Sequence, residues 1–132
     1  GYDMNDIAKD LANILVSNNL GTLGADIFID DIPADKNGLY ISHTGGSLAK
    51  YTPMQESIFD IYAKYQHSAV AIDKLEKIIN LLHRNYSFNL TNSFIYSILV
   101  IGYIDKVDVL DNNDKLYKIT IAVINRNKLN IS

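Results

Sequence analysis

The sequence predicts an α+β domain. A mostly antiparallel or mixed sheet of about five strands carries two amphipathic helices on one face, in the order α-β-β-β-α-β-β. Three observations lead there. Two segments repeat apolar residues at helical spacing, and several others alternate with a period of two or lie between turn signals. The strands do not alternate regularly with helices, as a parallel βαβ sheet would require. A chain of 132 residues with 48% hydrophobic and 20% charged residues suits one folded domain.

The first helix is expected from Asp6 to Ser17, where Ile7, Leu11, Ile14 and Leu15 form one apolar stripe. Asp3 or Asn5 is placed to cap its start, and Asn18-Asn19-Leu20-Gly21 supplies a left-handed stop. Ala25 to Ile32 reads as a strand closed by Pro33, and Leu39 to His43 as a second. The Asn37-Gly38 pair between them predicts a hairpin. Thr44 to Gln55, with Gly45-Gly46 and Pro53, reads as a polar loop. At about a dozen residues it is longer than the usual connection, a length common in functional or mobile loops.

The third strand, ESIFDIYAKYQ, alternates: Phe59, Ile61, Ala63 and Tyr65 point one way, and Ile58, Asp60, Tyr62 and Lys64 the other. His67 and Ser68 open the second helix, which runs to about Arg84 on a stripe including Ala71, Leu75, Ile78 and Leu82. A short extended piece, Tyr86 to Leu90, leads to a closing hairpin. Its arms are Phe94–Val107 and Leu116–Asn125, joined by a turn around Asp111-Asn112-Asn113-Asp114. In the last arm Tyr117, Ile119, Ile121 and Val123 face one side. Gly1-Tyr2-Asp3 ahead of Met4 has the look of a cloning remnant, which puts the domain at residues 4–128.

Several function classes lose support from composition. With no cysteine there is no disulfide framework, thiolate metal site or cysteine nucleophile. A net charge of −3 with thinly spread lysines and arginines does not fit a general nucleic-acid binder. Phe94 to Ile104, the longest apolar stretch, is too short to span a bilayer, and no basic start with an apolar middle marks a signal peptide.

His43, His67 and His83 lie on different elements without metal-ligand spacing, so they read as surface or capping residues. Gly21-x-x-Gly24 follows a helix and Gly45-Gly46 precedes no good helix, so neither is a phosphate loop. Asp105, Asp108, Asp111 and Asp114 surround a turn and lack the glycine and terminal glutamate of a calcium loop. The residues therefore predict no catalytic site, no metal site and no cofactor. Nine tyrosines against four phenylalanines and no tryptophan suit half-buried sheet faces and protein interfaces.

The order of elements and two local patterns resemble the tail terminator (minor tail or tail completion) proteins of long-tailed bacteriophages. The segment FDIYAKYQHSAVAIDKLEKIINLLHRNY is similar to their alternating strand that runs straight into an amphipathic helix. YSILVIGYIDKVDVLDNNDKLYKITIAVINR resembles their closing pair of strands around an acidic turn, and MNDIAKDLANILV their opening helix. The resemblance spans Met4 to Asn127. It departs at Val107-Asp108-Val109-Leu110, where related proteins often carry Pro and Gly.

The resemblance implies a non-enzymatic ring, commonly a hexamer, at the head-proximal end of the virion tail, assembled in the host cytoplasm. Its implied partners are copies of itself, the tail tube protein and the head–tail connector. DNA would pass through its lumen without specific binding, and no membrane is involved. Lys50, Tyr51 and Met54 in the long loop are then candidates for contact with the tube or a neighbour, and Ile58, Tyr62 and Tyr96 for the subunit interface. Two other readings stay open. One is a head-completion, neck or tube-related subunit; the other is a small ligand-binding regulatory domain, which predicts a closed apolar pocket.

Overall fold

The structure is a computed structural model that describes residues 4–48, 54–84, 88–90 and 93–127. Helix α1 (Met4–Ser17) is followed by strands β1 (Ile27–Ile29), β2 (Gly38–Leu48) and β3 (Met54–Tyr65). Helix α2 (Ser68–Arg84) then leads to β4 (Phe88–Asn89), β5 (Ser93–Val109) and β6 (Lys115–Asn127). The strands form one mixed sheet in the order β1-β2-β3-β6-β5-β4. The predicted α+β class holds, with the small β4 as a sixth strand.

Both helices cover the same face. Ile7, Leu11, Ile14 and Leu15 of α1 and Ala71, Leu75, Ile78 and Leu82 of α2 are buried in a single apolar cluster with the sheet. Ile41, Ile61 and Ile119 lie side by side across β2, β3 and β6 at its centre, all essentially without exposure. Burying a side chain of this size is worth about 1.5–3 kcal/mol, so this face supplies most of the apolar stabilisation.

The ends of both helices follow from local chemistry. Leu20 N donates to Leu15 O at 3.0 Å and Asn19 N to Val16 O at 3.1 Å, with Asn19 in the left-handed region at φ 61°. This is a Schellman stop. Within the predicted Asn18-Asn19-Leu20-Gly21 stop, Asn19 takes the left-handed position, while Leu20 turns back into the core. At the other end of α1, Asn5 falls inside the helix and Asp3 lies outside the described residues. His67 O accepts from Val70 N and Ala71 N at 3.1 and 3.3 Å, so His67 caps the start of α2 through its backbone.

The first predicted hairpin is corrected. β1 runs parallel to β2, with Ile27, Phe28 and Ile29 beside Leu39, Tyr40 and Ile41. Asn37-Gly38 is therefore not a hairpin turn. Gly38 sits at φ 153° with its Cα against Asp26 O, where any Cβ would collide. The glycine serves a close approach of two backbones. Leu39 N donates to Asp26 O, and Asp30 N to Ile41 O, both at 2.8 Å. The connecting residues 30–37 are tied down by Lys64, whose Nζ donates to Ala34 O and Lys36 O at 2.9 Å each. Those carbonyls compensate a lysine that is otherwise buried.

The long loop from Thr44 to Gln55 is corrected as well. β2 continues to Leu48 and β3 begins at Met54, so only residues 49–53 connect them, and these lie outside the described residues. A bulge at Thr44 absorbs one residue, and Gly46 lies against Glu56 O, where a Cβ has no room. Glycines that resembled a loop again mark close strand contact. The closing hairpin forms as expected, with its turn between Val109 and Lys115. Among the described residues, no helix is long and apolar enough to cross a membrane.

Candidate functional site

The face of the sheet opposite the helices is the candidate site, and β3 shows how it is built. Phe59, Ile61 and Ala63 enter the core, so Ile58, Asp60 and Tyr62 project to the other side. Cross-strand register extends each into a row. Gly45, Ile58, Ala122 and Leu99 form one; Ser42, Asp60, Thr120 and Gly102 a second; Tyr40, Tyr62, Lys118 and Asp105 a third.

The middle of this face is polar and internally satisfied. Thr120 Oγ1 donates to Asp60 Oδ1 at 2.6 Å, while Tyr62 OH and Lys118 Nζ approach Asp60 Oδ2 at 3.3 and 3.4 Å. Tyr62 stacks on Tyr40 with ring centroids 4.5 Å apart and planes 8° from parallel. Burial, then Tyr62 and the carboxylates of Asp31 and Asp60, push the Tyr40 hydroxyl up to about 12. Tyr62 is also raised, by burial first and then by Asp60. Asp60 is thus bound up in a structural network and is not positioned as an acid or base with room for substrate.

One end of the face is aromatic. Met54, Arg126 and Phe94 share a row; the Arg126 guanidinium lies 6.0 Å from the Phe94 ring centroid, and Tyr96 meets that ring edge-on at 4.9 Å. Of the sequence-predicted interface residues, Met54, Ile58, Tyr62 and Tyr96 therefore sit on the structure as one face of the sheet or its margin. Lys50 and Tyr51 lie outside the described residues.

Sequence reasoning missed the outer edge of β5. Leu99 is 60% exposed, Ile101 57% and Tyr103 67%, and Val107 and Val109 are exposed too. β4 pairs with only Phe94 and Ile95, so it leaves the rest of that edge unpaired among the described residues. The signal was present: from Phe94 to Ile104 the strand is apolar on both of its faces, though only one can meet the helices.

Little else among the described residues suggests chemistry. A cleft of about 610 Å³ beside the β5–β6 turn is lined by Tyr40, Lys64, Asp31, Asp108 and Asp111, among others. It is open to solvent, and its lysine is already committed to two carbonyls. No group of metal-ligating side chains is found among the described residues. His43, stacked edge-on against Phe59 at 5.2 Å, is remote in the sequence from the other two histidines and on a different element.

Residues 14–126 match a family model described as bacteriophage tail terminator protein. The chain belongs to the bacteriophage tail terminator family. The matched span covers every strand and the whole of α2 apart from the last residue of β6. A search among curated proteins found no match. Membership makes this a structural protein of the virion tail. An open sheet face, with a β5 edge that is apolar and largely unpaired among the described residues, suits a structural protein.

Proposed function

We propose that this terminator forms a ring, hexameric as is common for the resemblance drawn above, that caps the head-proximal end of the tail tube. It stops further addition of tube subunits and presents a surface to the head–tail connector. DNA passes through the lumen without specific binding. The observation that carries this reading is the contrast between the helix-covered face and the open one, within a chain of the terminator family. A soluble monomer has little use for five exposed large apolar residues on one strand, but a subunit that is buried on both flanks does.

The test is to add the purified chain to polymerising tube protein from the same phage. The expected outcome is shorter tubes, each with density at one end, and a multimeric species in native mass measurement. Tubes of unchanged length, with the chain absent from their ends, would remove the capping role. The open cleft gives no support to a ligand-binding regulatory domain, which requires an enclosed apolar pocket.

A further inference from the structure

The sheet has two free edges, and they match. On one side β1 pairs with only Leu39, Tyr40 and Ile41, which leaves β2 open from Ser42 to Leu48 among the described residues. On the other, β4 leaves β5 open beyond Ile95 among the described residues. Followed across the ladder, Ser42 is level with Asp60, Thr120 and Gly102, and Leu48 with Gln55, Asn125 and Ile95. The free length of β2 therefore stands level with the stretch of β5 that bears Leu99 and Ile101.

Direction matches too. β2 is antiparallel to β3, β3 to β6, and β6 to β5, so β2 and β5 run in opposite senses. Setting the β5 edge of one copy beside the β2 edge of the next makes an antiparallel pair and continues one sheet.

Composition points the same way. Natural sheets guard exposed edges with charges and prolines. Gly38 to Leu48 contains no Asp, Glu, Lys, Arg or Pro, and neither does Ser93 to Ile104. The first charged residues on β5 are Asp105, Lys106 and Asp108, below the level where β2 is free. Both edges lack guards where they would meet, and β5 is guarded where they would not.

We propose that the subunits of this terminator join head to tail, the β2 edge of one copy pairing with the β5 edge of the next through Ser42–Leu48 and Ser97–Gly102. The inference rests on the ring reading and specifies its joint. A joint between two different edges leaves a free edge on every added copy, so it propagates until the ring closes. Self-pairing of β5 would stop at a dimer and leave β2 bare. A single strand pair is small beside the roughly 800 Å² per partner of a stable complex, so closure, which gives every copy two joints, is what stabilises the assembly.

The chain has no cysteine, which makes linkage a clean test. Gly45 and Leu99 end the same cross-strand row; a Cβ on Gly45 meets nothing within 4 Å, and Leu99 is exposed. Gly45→Cys with Leu99→Cys, treated with a short bismaleimide alone and on tubes, should give a covalent ladder up to the full ring. Neither single variant should link. Leu99→Lys should keep the circular dichroism of the parent and raise the concentration for half-assembly on the order of tenfold, because a lysine there supplies the charge that guards a strand edge against pairing.

Dimers from Leu99→Cys alone would mean β5 self-pairing and overturn the proposal. An intact ring by native mass, with no linkage in the double variant and no effect of Leu99→Lys, would overturn the joint and leave the ring. No assembly of the parent chain, alone or on tubes, would remove the ring reading and the joint with it.

Discussion

The two faces of β3 are built from neighbouring residues and do different work. Phe59, Ile61 and Ala63 are buried in the apolar cluster on the helix-covered face. Ile58, Asp60 and Tyr62, one residue out of phase, lie on a face that combines a satisfied carboxylate, a tyrosine stack and a partly exposed isoleucine. The difference teaches where stability and recognition reside in a subunit this small. The helix-covered face makes the fold, and the open face with its edges is the part the proposed joint would use.

Substitutions test this division most strongly at the core. Phe59→Ala should cost about 3–5 kcal/mol in denaturant unfolding, since it empties a fully buried site next to Ile121 and His43. A loss below about 1 kcal/mol would mean that the helical face is not the seat of stability. Asp60→Ala, on the open face, should cost less, about 1–3 kcal/mol, through the donors it leaves unpaired on Thr120 and Lys118. A cost equal to that of Phe59→Ala would erase the contrast.

Alkaline pH gives a subtler probe. Tyr40 and Tyr65 are both pushed up to about 12, by burial foremost, with nearby carboxylates such as Asp26 beside Tyr65 adding to it. The folded state thus holds these protons more tightly than the unfolded chain. Their contribution is fully present below pH 10 and is lost as pH rises from about 10 to 12. Denaturant midpoints should fall across that window, and Tyr40→Phe should flatten the fall. At the weakest end, Leu99→Lys should change monomer stability by no more than about 0.5 kcal/mol, because the side chain is exposed. Loss of assembly without loss of stability would sharpen the division of labour to a single residue.

Much of this was readable from the residues. The alternation of β3, the stripes of both helices and the acidic closing turn all follow from local periodicity, and the structure has them. What periodicity misread were glycines. Asn37-Gly38 and Gly45-Gly46 carry turn signals, yet Gly38 and Gly46 are required by backbones that pass close to them, Asp26 and Glu56 respectively. That requirement comes from residues far along the chain or across a ladder, so a local window cannot contain it. Ile58, Tyr62 and Tyr96 were legible as outward-facing because alternation fixes their side of the sheet, whereas Met54, read as part of a loop, opens β3. The exposed edge of β5 was not, because an apolar run has the same appearance whether it is covered or bare.

The centre of the sheet joins segments that are distant in the chain. β2 and β3 form a local pair in the first half, β5 and β6 another in the second, and the β3–β6 ladder unites them from Tyr65–Lys115 to Met54–Arg126. Pairing across so long a loop is the slow kind of step in folding. Until it occurs, the inner margins of β3 and β6 are bare as well as the outer edges of the two halves. A chain whose two halves have not yet paired has four strand margins open instead of two. Refolding yield should consequently fall as protein concentration rises.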